Sequence, residues 1–365
     1  MNKTGNIILL ILFAIGGVLA LGKVFVWGES VTNYGSYTTW GLWVGMYIFL
    51  VGLAAGAAWT GICAAQRNGG EPNRLTTLSF IVAGVSLAFG LAFIGIDLGK
   101  PLKGSSIFLT PNFSSKLTWA SWIYTVFFGC LAGYFLTQAK KMFMVLAGVA
   151  AAGFVLAEGL FFGGMVARTL WHTWLTPLSF FTSAIAGGCA MVYLVGSISS
   201  KPIIEEQGDF LRKSLLLAVI IHLVVEVLHL VTGLSGSAEK IALTKTLWTA
   251  IPFWGIFLVV GIAAPLFMLW GKSKTINILP PFLVLFGLAA YKYSFVRYGF
   301  NQEPIPGISN AFQHAKLSLT YTPSSVEWMV AIGFLSGLFL VVNFAVTKFF
   351  AMKAKNETPA VEVTT

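Results

Sequence analysis

The sequence predicts an all-α integral membrane protein with about ten transmembrane helices. Of its 365 residues, 57% are hydrophobic and only 10% are charged, whereas soluble domains carry about 25% charged residues. Apolar runs of about 20 residues, long enough to cross a hydrocarbon core of about 30 Å, recur along the whole chain. Few charged residues lie between these runs, so we expect no separate soluble domain. We therefore expect one polytopic membrane domain over residues 1–350 and a disordered polar tail at 351–365.

The first apolar run, at residues 7–26, follows a single Lys and lacks an A-x-A cleavage site. We interpret it as a retained helix rather than a signal peptide. The even number of helices places both termini on one side, called side A, and the opposite face is side B. The predicted spans cover residues 7–26, 39–65, 75–99, 119–138, 142–162, 174–197, 211–234, 247–271, 276–298 and 325–350.

The formal net charge is +10, but the basic residues lie singly or in pairs at helix ends. This arrangement suits helix orientation and contact with anionic lipid, and it does not indicate nucleic-acid binding. Lys23, Arg168, Lys292 and Arg297 lie at or inside predicted helix ends on side B, so they are candidate site residues rather than topology signals. With these four set aside, more of the remaining Lys and Arg residues lie on side A than on side B. The positive-inside rule then predicts that both termini are cytoplasmic.

Side B carries the longer loops and most of the aromatic residues. Of the twelve tryptophans, all except Trp59 and Trp270 fall in the side B half. An aromatic belt decorates both interfaces of a membrane protein. The skew therefore favours a docking surface or an aromatic pocket on side B, with a belt distributed by chance as the alternative.

The stretch Gly95–Trp122 contains the most distinctive local pattern. An apolar helix ends on Asp97, and Lys100-Pro101 follows directly after a glycine and stops it. A new apolar helix then begins near Trp119. Because a carboxylate at the end of a membrane helix is costly, Asp97 needs a partner or a function.

The seventh span contains His222, Glu226 and His229, and offsets of four and seven residues place all three on one helical face. Such a row can pass protons by hops through water, because His titrates near neutral pH. A polar cluster that only packs helices is the alternative. Glu158, in the side B half of the fifth span, is open to both interpretations.

Arg168 and His172 lie in the connector before the sixth span, where they can hydrogen-bond a ligand carbonyl. A bis-His haem requires two histidines on facing helices, whereas His222 and His229 share one helix. We therefore expect no haem in this chain. A b-haem anchor is kept as an alternative, as is a secondary transporter, for which prolines in the eighth span offer some support. The cysteines lie in apolar runs without CxxC spacing, so we expect no iron–sulfur cluster in this chain; they are Cys63, Cys130 and Cys189.

Three motifs carry a family resemblance over residues 39–138: W-G-L-W-V-G-M-Y-I-F-L-V-G-L-A-A-G-A, D-L-G-K-P and N-F-S-S-K-L-T-W-A-S-W. They are similar to the NrfD family, typified by the membrane subunit of polysulfide reductase. The ten spans resemble its longer branch, which includes membrane subunits of quinone reductase complexes, hydrogenase-2, the Dsr complex and alternative complex III. The chain departs from the family pattern at Lys100, where Arg is usual, and at Lys116, where Pro is usual.

The resemblance implies two four-helix bundles, at about 39–162 and 174–298, flanked by helices 7–26 and 325–350. It implies a subunit of a respiratory oxidoreductase in a bacterial or archaeal cytoplasmic membrane, with menaquinone or ubiquinone bound near the non-cytoplasmic face. A ferredoxin-like iron–sulfur subunit would cover that face, alongside further catalytic or cytochrome subunits.

On this basis we assign acid/base and quinone-binding roles to Asp97 and His172. Arg168, Tyr124 and Trp119 are further quinone-binding candidates. A proton pathway, if the complex translocates protons, is assigned to Glu158, His222, Glu226 and His229.

Overall fold

The computed structural model describes residues 3–138, 140–271, 278–303 and 317–357, with the isolated positions 305, 307–308 and 314. These parts are helical and contain no strand, and ten of their helices are long and apolar enough to cross a membrane. The expected all-α membrane fold is confirmed. The ten are α1 Lys3–Gly22, α2 Leu42–Arg67, α3 Arg74–Asp97, α4 Lys116–Leu136, α5 Lys140–Gly163, α6 Leu175–Ser199, α7 Lys201–Leu234, α8 Pro252–Trp270, α9 Leu279–Gly299 and α10 Ser325–Glu357.

Two of the predicted loops contain long stretches of helix, besides the single turn at Ser106–Leu109. Helix α7 begins at Lys201, ten residues before the predicted span, because Pro202 fits a first helical turn and the next residues are mostly good helix formers. A short helix, Ala238–Thr249, follows α7; Ser237 caps it by accepting a hydrogen bond from the Lys240 amide. Hydropathy windows overlook both segments because they are polar.

Helix α2 is largely buried and packs against α3, α5, α6 and α9. Small residues allow this approach, because a Cβ on Gly56 would collide with the carbonyl oxygen of Ala184 on α6. Gly188 faces Gly56 from the other side of the same contact. In lipid, close backbone packing of this kind replaces the hydrophobic effect as the force between helices.

Helices α1 and α10 pack against each other, with Gly16 and Gly333 in direct contact. The other faces of α1 are largely exposed and carry apolar side chains such as Ile8 and Val18. The last helix continues to Glu357, and the rest of the tail, residues 358–365, lies outside the described residues.

Candidate functional site

A cavity opens near side B between α2, α3, α4 and α5. It holds about 620 Å³ of empty space, counting the space at its open mouth. The carboxyl groups of Asp97 and Glu158 line it. The rest of the lining is largely apolar or aromatic and includes Trp40, Tyr47, Phe161 and Phe162. Leu98 and Leu117 also line the cavity and are partly exposed. An apolar cavity with a few convergent polar groups is typical of a small-molecule site.

Asp97 is the last residue of α3, where the chain turns towards the side B surface. Its carboxylate accepts a 2.7 Å hydrogen bond from the hydroxyl of Tyr34, in the loop before α2. Burial, followed by the nearby Asp97 charge, raises the pKa of Tyr34 well above its usual range. The phenol therefore stays protonated and remains a donor to the carboxylate.

Lys23 fixes the same helix end from the other side. It lies in a π-helical turn that continues α1 and is only 1% exposed. Its Nζ donates to the Ile96 carbonyl at 2.7 Å and pairs with Glu29 at 2.7 Å. The carbonyls of a helix C-terminus lack intrahelical partners, so this ammonium satisfies one of them directly beside Asp97.

Glu158 lies deeper in the cavity and is 3% exposed. The Tyr124 hydroxyl on α4 donates to its Oε1, and the Tyr47 hydroxyl on α2 lies 2.9 Å from that of Tyr124. Phe154 packs on the Tyr124 ring. The carboxyl group is thus held at the end of a short chain of hydroxyl groups that can carry a proton.

A second polar network lies on side B. Glu327, at the start of α10, accepts hydrogen bonds from the Tyr321 hydroxyl and from the backbone amide of Asn33. The Tyr321 carbonyl accepts a 2.6 Å bond from Arg297, and burial raises the pKa of the Tyr321 phenol. This network joins the first loop to the segment before α10.

The aromatic wall extends beyond the cavity. Trp40 stacks on the fully buried Trp171, with ring centroids 6.1 Å apart, and the Trp171 indole donates to the Phe295 carbonyl at 2.7 Å. Part of the tryptophan skew towards side B therefore reflects a buried cluster. Other tryptophans, such as Trp174, are exposed.

Not all candidate residues meet in this cavity. Asp97 and Glu158 line it, and Tyr124 contacts Glu158. His172 is exposed, and its Nδ1 donates to the Gly163 carbonyl at 2.8 Å; it lines a separate surface cavity.

Arg168 and Trp119 also lie outside the cavity lining. The Arg168 guanidinium stacks over Phe300 and donates to the Gln302 carbonyl at 3.3 Å, and partial burial lowers the pKa of Arg168. Trp119 is half exposed and donates to the Phe113 carbonyl at 2.9 Å.

The row on α7 forms a second polar cluster. Glu226 Oε1 accepts hydrogen bonds from Ser179 at 2.6 Å and Tyr291 at 2.9 Å, and its Oε2 lies 3.8 Å from His229 Nδ1. Glu226 and His229 line a cavity of about 510 Å³ together with Lys240.

His222 is fully buried, and its Nδ1 lies 2.9 Å from the Thr182 hydroxyl. Every member of the α7 row therefore contacts a side chain that can exchange a proton or a hydrogen bond.

Sequence reasoning missed the roles of Tyr34, Tyr47 and Glu29. Tyr47 carried a detectable signal, because a phenol inside an otherwise apolar helix needs a buried partner. Tyr34 carried none, since it lies in a loop and its partner Asp97 is 63 residues away. Lys23 had a partial signal through its position at a helix end.

Comparison with known proteins adds a family relationship. Residues 30–302 match the family profile described as "Polysulphide reductase, NrfD". The chain is 24% identical to a selenate reductase subunit of Mesobacillus selenatarsenatis, over 91% of this chain and 91% of the relative. It is 22% identical to the Hdr-like menaquinol oxidoreductase integral membrane subunit of Archaeoglobus fulgidus, over 86% and 85% of the two chains.

A solved structure shares the fold at low identity. The bd oxidase from Geobacillus thermodenitrificans has a TM-score of 0.51 and 13% sequence identity, and the match covers 94% of this chain and 98% of that chain. At this identity the likeness concerns the arrangement of helices alone.

Proposed function

Because this chain belongs to the polysulphide reductase NrfD family, we propose that it is the quinone-binding membrane subunit of a respiratory oxidoreductase complex. The observation that carries the proposal is the side B cavity, which combines an aromatic wall with two carboxyl groups. Two relatives match over most of their length. One is named a menaquinol oxidoreductase membrane subunit, and the other is a selenate reductase subunit. The substrate is menaquinol or ubiquinol, or the corresponding quinone.

The aromatic wall suits a flat ring. Trp40, Phe161 and Phe162 offer faces and edges against which a quinone headgroup can stack. The partly exposed Leu98 and Leu117 give an apolar passage for an isoprenoid tail. Asp97 and Glu158 then supply the polar contacts that fix the headgroup oxygens.

Oxidation of a quinol releases two electrons and two protons. Asp97 accepts the proton of one hydroxyl, and the Tyr34 hydrogen bond holds its carboxylate in position. Glu158, with Tyr124 and Tyr47 behind it, accepts the second. Quinone reduction uses the same groups in reverse, and the α7 row serves protons that are exchanged with side A.

These side chains manage protons, so the electrons pass to a redox group in a partner subunit. Several apolar side chains protrude on side B, including Leu102, Leu109 and Phe113 in the segment between α3 and α4. An exposed apolar patch is typical of a protein interface. We assign this surface to a ferredoxin-like iron–sulfur subunit, outside the cytoplasm, with both termini of this chain inside.

Photolabelling with an azidoquinone tests the site. The reagent should label peptides from the start of α2 and the ends of α3 and α5, where Trp40, Asp97 and Phe161 lie, and excess quinol should suppress the labelling. Labelling confined to the cavity beside Lys240, or labelling that quinol does not suppress, would contradict the proposed site.

A further inference from the structure

Lys292 is the most unusual buried charge outside the cavity. It lies on α9, is 3% exposed, and its Nζ has no hydrogen-bond partner among the described residues. The Nζ sits 3.6 Å from the centre of the Phe180 ring and 5.2 Å from that of Tyr291. An ammonium group at this depth without a hydrogen bond is costly, so a purely structural role explains it poorly.

The position of Lys292 relates it to both polar clusters. Its neighbour Tyr291 bonds Glu226, and the Phe180 ring under its Nζ packs against Phe162, which lines the side B cavity together with Glu158. Close packing of α9 on α2 permits this, since a Cβ on Gly45 would lie 3.0 Å from the Tyr293 Cα. Lys292 therefore lies between the side B cavity and the α7 row.

Depth in the membrane follows a progression. Glu158 lies five residues from the side B end of α5, Lys292 seven from the end of α9, and Glu226 and His222 eight and twelve from the end of α7. At about 1.5 Å per residue these positions are roughly 8, 10, 12 and 18 Å below the helix ends. A chain of groups through Lys292 thus leads from the cavity towards side A.

We propose that Lys292 is the link that passes protons between Glu158 and the α7 row. The proposal rests on quinone chemistry at the side B cavity. A proton leaves the Glu158 carboxyl group for the Lys292 amine, which gives a carboxylate and an ammonium. The ammonium, stabilised over the Phe180 ring, then gives the proton to Glu226. No electron moves in this step, and the return of Lys292 to the amine resets the link.

The other titratable groups around Lys292 fit this role. Tyr124 bonds Glu158, and Tyr47 bonds Tyr124. On the other side, His229 lies beside Glu226, and His222 packs against the neighbouring Tyr291 ring. Within the described parts of the chain, His222 Nε2 and His229 Nε2 are buried without a hydrogen-bond partner. They leave acceptor positions open for a proton that has reached Glu226.

Two substitutions separate a proton link from a fixed charge. Lys292→Met removes the amine, and Lys292→Arg keeps a positive charge that is not released at any physiological pH. If Lys292 only balances the two carboxylates, Arg should restore the parent behaviour. If Lys292 carries protons, both variants should lose proton exchange with side A to the same extent. Lys348→Met is the matched control, because that amine lies over Phe344 on α10, in contact with a ring but not with either carboxylate.

The measurement is the number of protons exchanged with side A per electron, in proteoliposomes that contain the complete complex and are driven by quinol. We expect at least a ten-fold fall for Lys292→Met and Lys292→Arg, with azidoquinone labelling retained, and no change for Lys348→Met. Loss of quinol turnover with normal labelling gives the same support, provided that Lys292→Arg and Lys292→Met both lose turnover.

Restoration by Arg, or a parent complex that oxidises quinol without exchanging protons with side A, would overturn the link and leave the quinone site standing. A parent complex that neither labels with azidoquinone nor oxidises quinol would instead overturn the proposed function.

Discussion

The Tyr34 hydroxyl donates a 2.7 Å hydrogen bond to the Asp97 carboxylate and so ties the first side B loop to the end of α3. On the backbone side of the same helix end, Lys23 holds the Ile96 carbonyl. Asp97 is therefore oriented by two elements that are distant in sequence. Preorganisation of this kind is what a group that exchanges protons with a ligand requires.

Loss of the orienting hydroxyl should impair turnover less than loss of the carboxylate. Tyr34→Phe removes one hydrogen bond, typically worth about 0.5–1.5 kcal/mol, so we expect quinol-linked turnover to fall by roughly 3–10-fold. Steady-state assays of the purified complex measure this. Thr137→Val, on an exposed hydroxyl at the side A end of α4, is the control and should be neutral. A Tyr34→Phe complex as active as the parent would mean that the bond has no part in turnover.

Glu158 should act together with Tyr124. Glu158→Gln keeps the size of the side chain and removes the ionisable group, and we expect turnover to fall by about 100-fold. Tyr124→Phe breaks the bond to the same carboxyl group. If the two act as one unit, the double variant should be no worse than Glu158→Gln alone. Fully additive losses would show that they act separately.

The α7 row makes a prediction about protons. Glu226→Gln keeps hydrogen-bonding capacity towards Ser179 and Tyr291 but cannot carry a proton. It should abolish proton exchange with side A in proteoliposomes while assembly and quinone labelling persist. Ser179→Ala, which removes a donor to Glu226 and a hydrogen-bond partner of Tyr291 but leaves the carboxyl group, should have a smaller effect. A Gln variant that moves protons like the parent would make the row a packing feature.

The partner subunit should cover the loops at 100–118 and 299–324 on side B. An amine-reactive crosslinker should therefore join the partner to Lys103 and Lys116, both exposed. On side A, Lys141 and Lys213 are also exposed, with side chains 57% and 67% accessible, and they serve as the internal control. Crosslinks concentrated near the start of α7, at residues 201–210, would place the partner on side A and contradict this prediction.

The number of helices was predictable because each apolar run is a local property of the sequence. Asp97 and Glu158 could also be identified locally, since carboxylates in apolar segments are rare and costly. The direction of side chains in connectors could not be predicted. His172 and Trp171 are adjacent, yet the indole packs inside against Trp40 while the imidazole faces outwards.

The extent of α7 also escaped prediction, because apolar run length marks the buried part of a helix and not its polar extension. Tyr34 and Glu29 act through partners brought together only by tertiary packing, in loops that show no periodicity. The sequence thus indicated two carboxyl groups that line the side B cavity. The folded chain was needed to find what orients them.

Substitution of Asp97 by Asn is the most direct measurement of the central claim that the side B cavity exchanges protons with a quinol. Asn keeps the shape and an acceptor for Tyr34 but cannot take up a proton. We expect quinol-linked turnover of the assembled complex to fall by about 100-fold or more, the usual scale for loss of a positioned acid/base group. Glu71→Gln, an exposed carboxylate paired with Lys141 on side A, should have no effect. A fully assembled Asp97→Asn complex that turns over quinol at the parent rate would contradict the account.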